Sequence, residues 1–121
     1  MFKDTKAFSS FSVDDLGVAK EFYGDTLGLD VREENELLRV NVAGGNPVMI
    51  YPKPNHVPAE HTVLNFPVTD IDASARELAG RGITFERYFD DHDELGVYRT
   101  EGPAIAWFKD PAGNTLSIIQ E

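Results

Sequence analysis

Apolar and polar residues alternate along several short stretches of this 121-residue chain, and a period of two marks a strand that buries one face. In L-L-R-V-N-V-A (37–43) the apolar parity is Leu38, Val40 and Val42, opposed by Leu37, Arg39 and Asn41. Over 6–13, Ala7, Ser9, Phe11 and Val13 form one side and Lys6, Phe8, Ser10 and Ser12 the other. Stretch 47–51 sets Val48 and Ile50 against Met49 and Tyr51, and 61–68 sets Thr62, Leu64, Phe66 and Val68 against His61, Val63 and Asn65. The last strand sets Leu116 and Ile118 against Thr115, Ser117 and Ile119. Another strand is predicted over 104–109, and strand-like L-D-V-R-E and I-T-F-E-R-Y-F follow Gly28 and Gly82. Helical spacing of Leu16, Ala19, Tyr23 and Leu27 predicts one helix, with Gly28 at its C′ position. Ile71, Ala75 and Leu78 predict a second. Asp14 or Asp15 can cap the first, Thr69 or Asp70 the second.

The pattern repeats. F-S-V-D-D-L (11–16) returns as F-P-V-T-D-I (66–71) at an offset of 55, and G-G-N-P-V-M-I (44–50) as A-G-N-T-L-S-I (112–118) at an offset of 68. The second offset puts Trp107 in the place of Arg39. Two echoes in the same order, each beside the same predicted element, argue for an internal duplication. Each half reads strand, helix, strand, strand, strand. They are joined by P-K-P-N-H-V-P-A-E (52–60), whose three prolines predict a stiff, extended connection.

F-Y-G-D-T-L-G-L (22–29) and W-F-K-D-P-A-G-N (107–114) resemble the two signature stretches of the vicinal oxygen chelate superfamily. That group includes glyoxalase I, bleomycin-resistance proteins, fosfomycin-resistance enzymes and extradiol dioxygenases. The resemblance covers nearly the whole chain. It implies an α+β fold of two βαβββ modules forming a curved, cup-shaped mixed sheet with helices outside, commonly in a homodimer. Residues 1–121 are then one domain, with module one at 1–52, a linker at 53–60 and module two at 61–121.

In that fold the apolar parity packs on the helices and the opposite parity lines the cup. Phe8, Ser10, Arg39, Asn41, Met49, Tyr51, His61, Val63, Asn65, Trp107 and Ser117 are therefore the candidate ligand-binding residues. In metal-dependent relatives, four cup-facing positions supply His, Glu or Gln ligands. One lies seven residues before the helix-start Asp of each module, and another is the fourth residue after the turn Gly. On this chain these positions hold Phe8, Val63, Met49 and Ser117. Phenylalanine and valine donate nothing, and a thioether with a neutral hydroxyl cannot hold a divalent ion. No metal and no cofactor are expected. His56, His61 and His92 lack the short, regular spacing of a ligand motif. His61 and Tyr51 are the groups that could act as acid or base.

A formal charge of −10 argues against nucleic acid as partner and could draw in a cationic ligand. No apolar run reaches the length of a membrane span, and M-F-K-D-T-K shows no secretory h-region. With no cysteine to oxidise, a cytoplasmic setting is expected. The polar segment 90–103 reads as a solvated loop or a lid. Aromatic walls with a few polar groups describe a small-molecule pocket, and Trp107 could stack an aromatic ligand. The leading expectation is a metal-free small-molecule binder. Alternatives are a metal-independent lyase or isomerase using His61, Tyr51 or Arg39, a glyoxalase- or dioxygenase-type enzyme, and a non-catalytic dimeric interaction module.

Overall fold

Both helices start at an aspartate whose carboxylate accepts a first-turn backbone N–H: Asp15 from Val18 at 3.0 Å, and Asp70 from Ala73 at 3.1 Å. These caps stand 55 positions apart, so the internal repeat is visible as matched chemistry. The computed structural model describes residues 1–121, and its contacts divide them into two units, Met1–Val57 and Pro58–Glu121.

The first unit runs β1 (Ser10–Val13), α1 (Leu16–Glu21), a π-helical turn (Phe22–Thr26), β2 (Asp30–Glu34), β3 (Leu37–Asn41) and β4 (Val48–Pro52). Its sheet has the order β1-β4-β3-β2, with β1 parallel to β4 and the other pairs antiparallel. The aliphatic parity is buried: Val13, Leu38, Val40, Val48 and Ile50 form the core with Ala19, Phe22 and Tyr23. The Phe11 ring lies 6.0 Å from that of Tyr23, on the same side. The helix does not continue to Leu27 as one α-helix. After Glu21 it widens, Phe22 O accepting from Leu27 N at 2.9 Å, and both consecutive aromatics, Phe22 and Tyr23, enter the core. Gly28, with φ of +73°, then turns the chain into β2.

The second unit runs β5 (Thr62–Pro67), α2 (Ile71–Gly80), β6 (Ala104–Lys109) and β7 (Thr115–Gln120), with sheet order β5-β7-β6. β5 is parallel to β7, and β6 antiparallel to it. The fold is thus α+β, with two helices and two mixed sheets. It departs from a strict repeat at 83–89, where the strand-like sequence forms only the isolated bridge of Glu86 with Trp107. The backbone beyond is taken up locally. Arg87 donates to the carbonyls of Asp93 and Glu94, and the Asp93 carboxylate accepts from Leu95 N and Val97 N. Nor is 90–103 wholly solvated, since Val97 is fully buried and Gly96 packs on Phe85.

A second departure is a bulge in β5 between Thr62 and Leu64. The extra residue brings Thr62 opposite Thr115, on the face of Ser117 rather than with Leu64 and Phe66. The β6–β7 turn is closed by Asp110, whose carboxylate accepts from Asn114 N at 2.8 Å and Asn114 Nδ2 at 3.0 Å.

Gly96 has φ of +97°, and a Cβ there would sit 2.7 Å from Phe85 Cβ. Gly80, at the end of α2, has open space around it. Urea denaturation should show Gly96→Ala losing about 1–3 kcal/mol, and Gly80→Ala gaining up to about 1 kcal/mol. Equal effects would contradict the close packing of Gly96.

Candidate functional site

Cross-strand partners share a face, so the register places Arg32, Arg39, Met49 and Ser10 in one row across β2, β3, β4 and β1. This is the face turned away from Phe11, Leu38, Val40 and Ile50. A pocket of about 410 Å³ opens on it, lined by Lys6, Phe8, Ser10, Leu37, Arg39, Asn46, Pro47, Met49 and Tyr51. Phe8 is 64% exposed and Tyr51 37%, so two rings stand at the surface of an apolar hollow. Asn46 Nδ2 donates to Ala7 O at 2.7 Å, tying the β3–β4 loop to the segment before β1 that carries Lys6 and Phe8.

Charges on this face form a short ladder. Asn41 pairs with Asp30, Arg39 with Arg32, and Leu37 with Glu34. Opposed guanidiniums repel, and each has a carboxylate beside it: Arg32 Nε reaches Asp30 at 3.0 Å, and Arg39 Nε stands 3.6 Å from Glu34. Hydrogen bonds from Asn41 and then from Arg32 hold the Asp30 carboxyl below its ordinary value of 3.8. Asn41 thus sits on the candidate face but is engaged by Asp30 at 2.9 Å and lies outside the pocket lining.

In the second unit the corresponding row is Asn65, Ser117, Trp107 and, by its bridge, Glu86. Ser117 is fully buried and its Oγ donates to Asn65 Oδ1 at 2.5 Å. The hydroxyl in an otherwise apolar strand is therefore satisfied within the sheet. Val63 lies in the bulge, and His61 precedes β5, exposed.

Trp107 anchors a ring cluster. Tyr88 lies 5.3 Å away, His92 6.0 Å and Tyr98 6.2 Å, while Phe89 stacks on Tyr98 at 4.6 Å. His92, which lacks the spacing of a ligand motif, is part of this cluster. Its Nδ1 lies 2.8 Å from Gly96 O, and its Nε2 accepts from Tyr88 N at 3.2 Å, an arrangement that fits the neutral ring protonated on Nδ1. Burial, then the charges of Glu101 and Asp91, push the Tyr98 hydroxyl up. Burial works against the Asp93 carboxylate, yet hydrogen bonds from Val97, Arg99 and Leu95 hold it below its ordinary value.

Two further placements were not legible. Ser12 Oγ and His56 Nδ1 lie 2.7 Å apart, fastening the proline-rich connection to β1. Asn46 and Pro47 line the pocket from a loop that strand parity cannot place. The four positions that carry metal ligands in the resembling family do not fit a divalent cation. Phe8 and Val63 have no donor atom, Met49 offers a thioether, and the Ser117 hydroxyl is spent on Asn65. No three His, Asp or Glu side chains are arranged to hold one elsewhere.

Residues 8–118 match the model of the glyoxalase/bleomycin resistance protein/dioxygenase superfamily. The chain belongs to this superfamily. Among solved structures, a superfamily member from Sphaerobacter thermophilus DSM 20745 aligns with TM-score 0.71 at 23% identity, covering 95% of this chain and 97% of its own. An antibiotic binding protein from Streptomyces sp. CB03234 aligns with TM-score 0.71 at 25% identity, covering 97% of both chains. A lactoylglutathione lyase from Agrobacterium tumefaciens shares the fold, with TM-score 0.69 at 19% identity over 97% of this chain and 93% of its own. No curated protein matches in sequence. No helix is long and apolar enough to cross a membrane.

The depressed Asp30 carboxyl contributes stability that is present above pH 3.8 and is lost as pH falls through its lower folded value. Asn41→Ala should raise the Asp30 pKa toward 3.8, read by NMR titration of the carboxyl carbon, and shrink the acid-induced loss of stability. An unmoved pKa would contradict the assignment.

Proposed function

We propose that this protein is a metal-free small-molecule binder of the bleomycin-resistance type, holding its ligand in the first unit's pocket. The observation that carries this is the pocket itself. Apolar groups of Phe8, Leu37, Met49 and Pro47 line an open hollow of about 410 Å³, with a few polar groups at fixed places, the usual make-up of a ligand site. The similarity to an antibiotic binding protein at 25% identity supports sequestration over turnover. So does the donor-poor chemistry at Phe8, Met49, Val63 and Ser117. We further propose a cytoplasmic homodimer, in keeping with its superfamily and its cysteine-free composition. The aromatic cluster around Trp107, with carboxylates nearby, offers a second surface on which a cationic or aromatic ligand could stack.

A lyase or isomerase has thinner support. Tyr51 lines the pocket but His61 does not, so the acid–base pair that such chemistry needs is incomplete.

Met49 sits at the pocket's centre row, and a larger residue there fills the hollow without touching the buried parity. In a thermal-shift screen of several hundred metabolites and antibiotics, hits should raise the Tm of the native protein and lose that effect in Met49→Trp, with chelator making no difference. Hits unaffected by Met49→Trp, or abolished by chelator, would count against this function.

A further inference from the structure

We infer that the pocket of the first unit is selective for an organic acid: an apolar body bearing a carboxylate, with the acid end at Arg39 and Lys6. The inference rests on the reading of that pocket as a ligand site and adds the charge of its occupant. In a chain with 21 acidic and 11 basic residues, this apolar hollow nonetheless presents two cations, Lys6 and Arg39, and no carboxylate among its lining residues.

Arg39 is poorly matched within the protein. Its Nε is screened from solvent yet makes no hydrogen bond, and Glu34 stands off at 3.6 Å. Native proteins rarely leave such a donor unmet. Arg39 also faces Arg32 directly across the β2–β3 pair, a like-charge contact that an added anion would relieve. The Glu34 side chain is 54% exposed, so its ion pair is weak and easily displaced. A carboxylate replacing it could take Nε and an Nη together in the side-on, two-bond geometry that guanidinium favours. The apolar body would lie against Met49 and Phe8.

The overall charge of −10 points the other way, toward a cation. It does not decide the matter. Exposed charges beyond about 8 Å are largely screened at physiological salt, whereas a contact pair with Arg39 is not. Of the nearby carboxylates, Glu34 and Asp30 stand beside the guanidiniums and neither lines the pocket.

The test uses three probes with one ring system: 2-naphthoate, neutral 2-naphthamide and 2-naphthylmethylammonium. Each is titrated into the native protein and followed by the amide NMR signals of Ser10, Arg39 and Met49. Naphthoate should bind about tenfold tighter than the amide, the scale of one charge-assisted pair. Raising salt should weaken the acid and leave the amide unchanged. Arg39→Gln should bring the acid-to-amide ratio close to one. Lys6→Gln, at an exposed position before β1, should lower it by a smaller factor and keeps the test usable if Arg39→Gln unfolds. Ammonium binding at the same amides as tightly as naphthoate would overturn the acid selectivity while leaving the pocket a ligand site. If none of the three probes moves those amides, the pocket reading itself fails and this inference with it.

Discussion

The buried aliphatic ladder of β3 and β4 is the constraint on which the candidate site depends. Leu38 pairs with Ile50 and Val40 with Val48, all at or near full burial. Each such side chain contributes roughly 1.5–3 kcal/mol when removed from water. A slip of one residue would expose all four and bury Arg39 and Met49 in their place. Exposed ion pairs such as Lys20–Glu33 or Arg32–Asp30 are too weak to set the register against that cost. Once the ladder is fixed, the opposite face has no choice. Arg39, Met49, Ser10 and Tyr51 must share it.

Much of this could be read from the chain because a period of two has only two solutions. The strands β2 to β4, both aspartate caps and the duplication follow from local pattern, whereas the strand expected over 6–13 forms only at Ser10–Val13 and leaves Ala7 and Ser9 exposed. What escaped was set by a single insertion and by local side-chain-to-backbone bonds. Residues 83–89 have strand composition, but the Arg87 and Asp93 hydrogen bonds draw the chain into a loop before a ladder can extend. The β5 bulge moves Thr62 to the other face, and no periodicity announces it. His92 joins the Trp107 cluster through backbone partners at Tyr88 and Gly96, four residues away on either side, and such contacts carry no sequence signature. The first helix gave the right face but the wrong geometry, since spacing cannot separate an α-turn from a π-turn.

The two units show how one repeat serves different ends. The row Ser10, Met49, Arg39 in the first recurs as Asn65, Ser117, Trp107 in the second, at the offsets of the repeat. In the first unit the row leaves a hollow beside Arg39, whose Nε makes no hydrogen bond. In the second, the Ser117 hydroxyl donates to Asn65 and rings pack beside Trp107. The superfamily frame is shared, while Phe8, Met49, Val63 and Ser117 stand where the resemblance places metal ligands. The proposed function follows from those residues, and the proposed preference for an acid from the cations beside them.

The proposed metal-free binding rests on Phe8, Met49, Val63 and Ser117 offering no donor set for a divalent cation. Manganese(II) titration followed by paramagnetic broadening of amide NMR signals tests it most directly. The account predicts only weak, diffuse broadening over the acidic surface, with the amides of these four residues no more affected than the rest. Selective loss of those four signals at one equivalent of metal would contradict it.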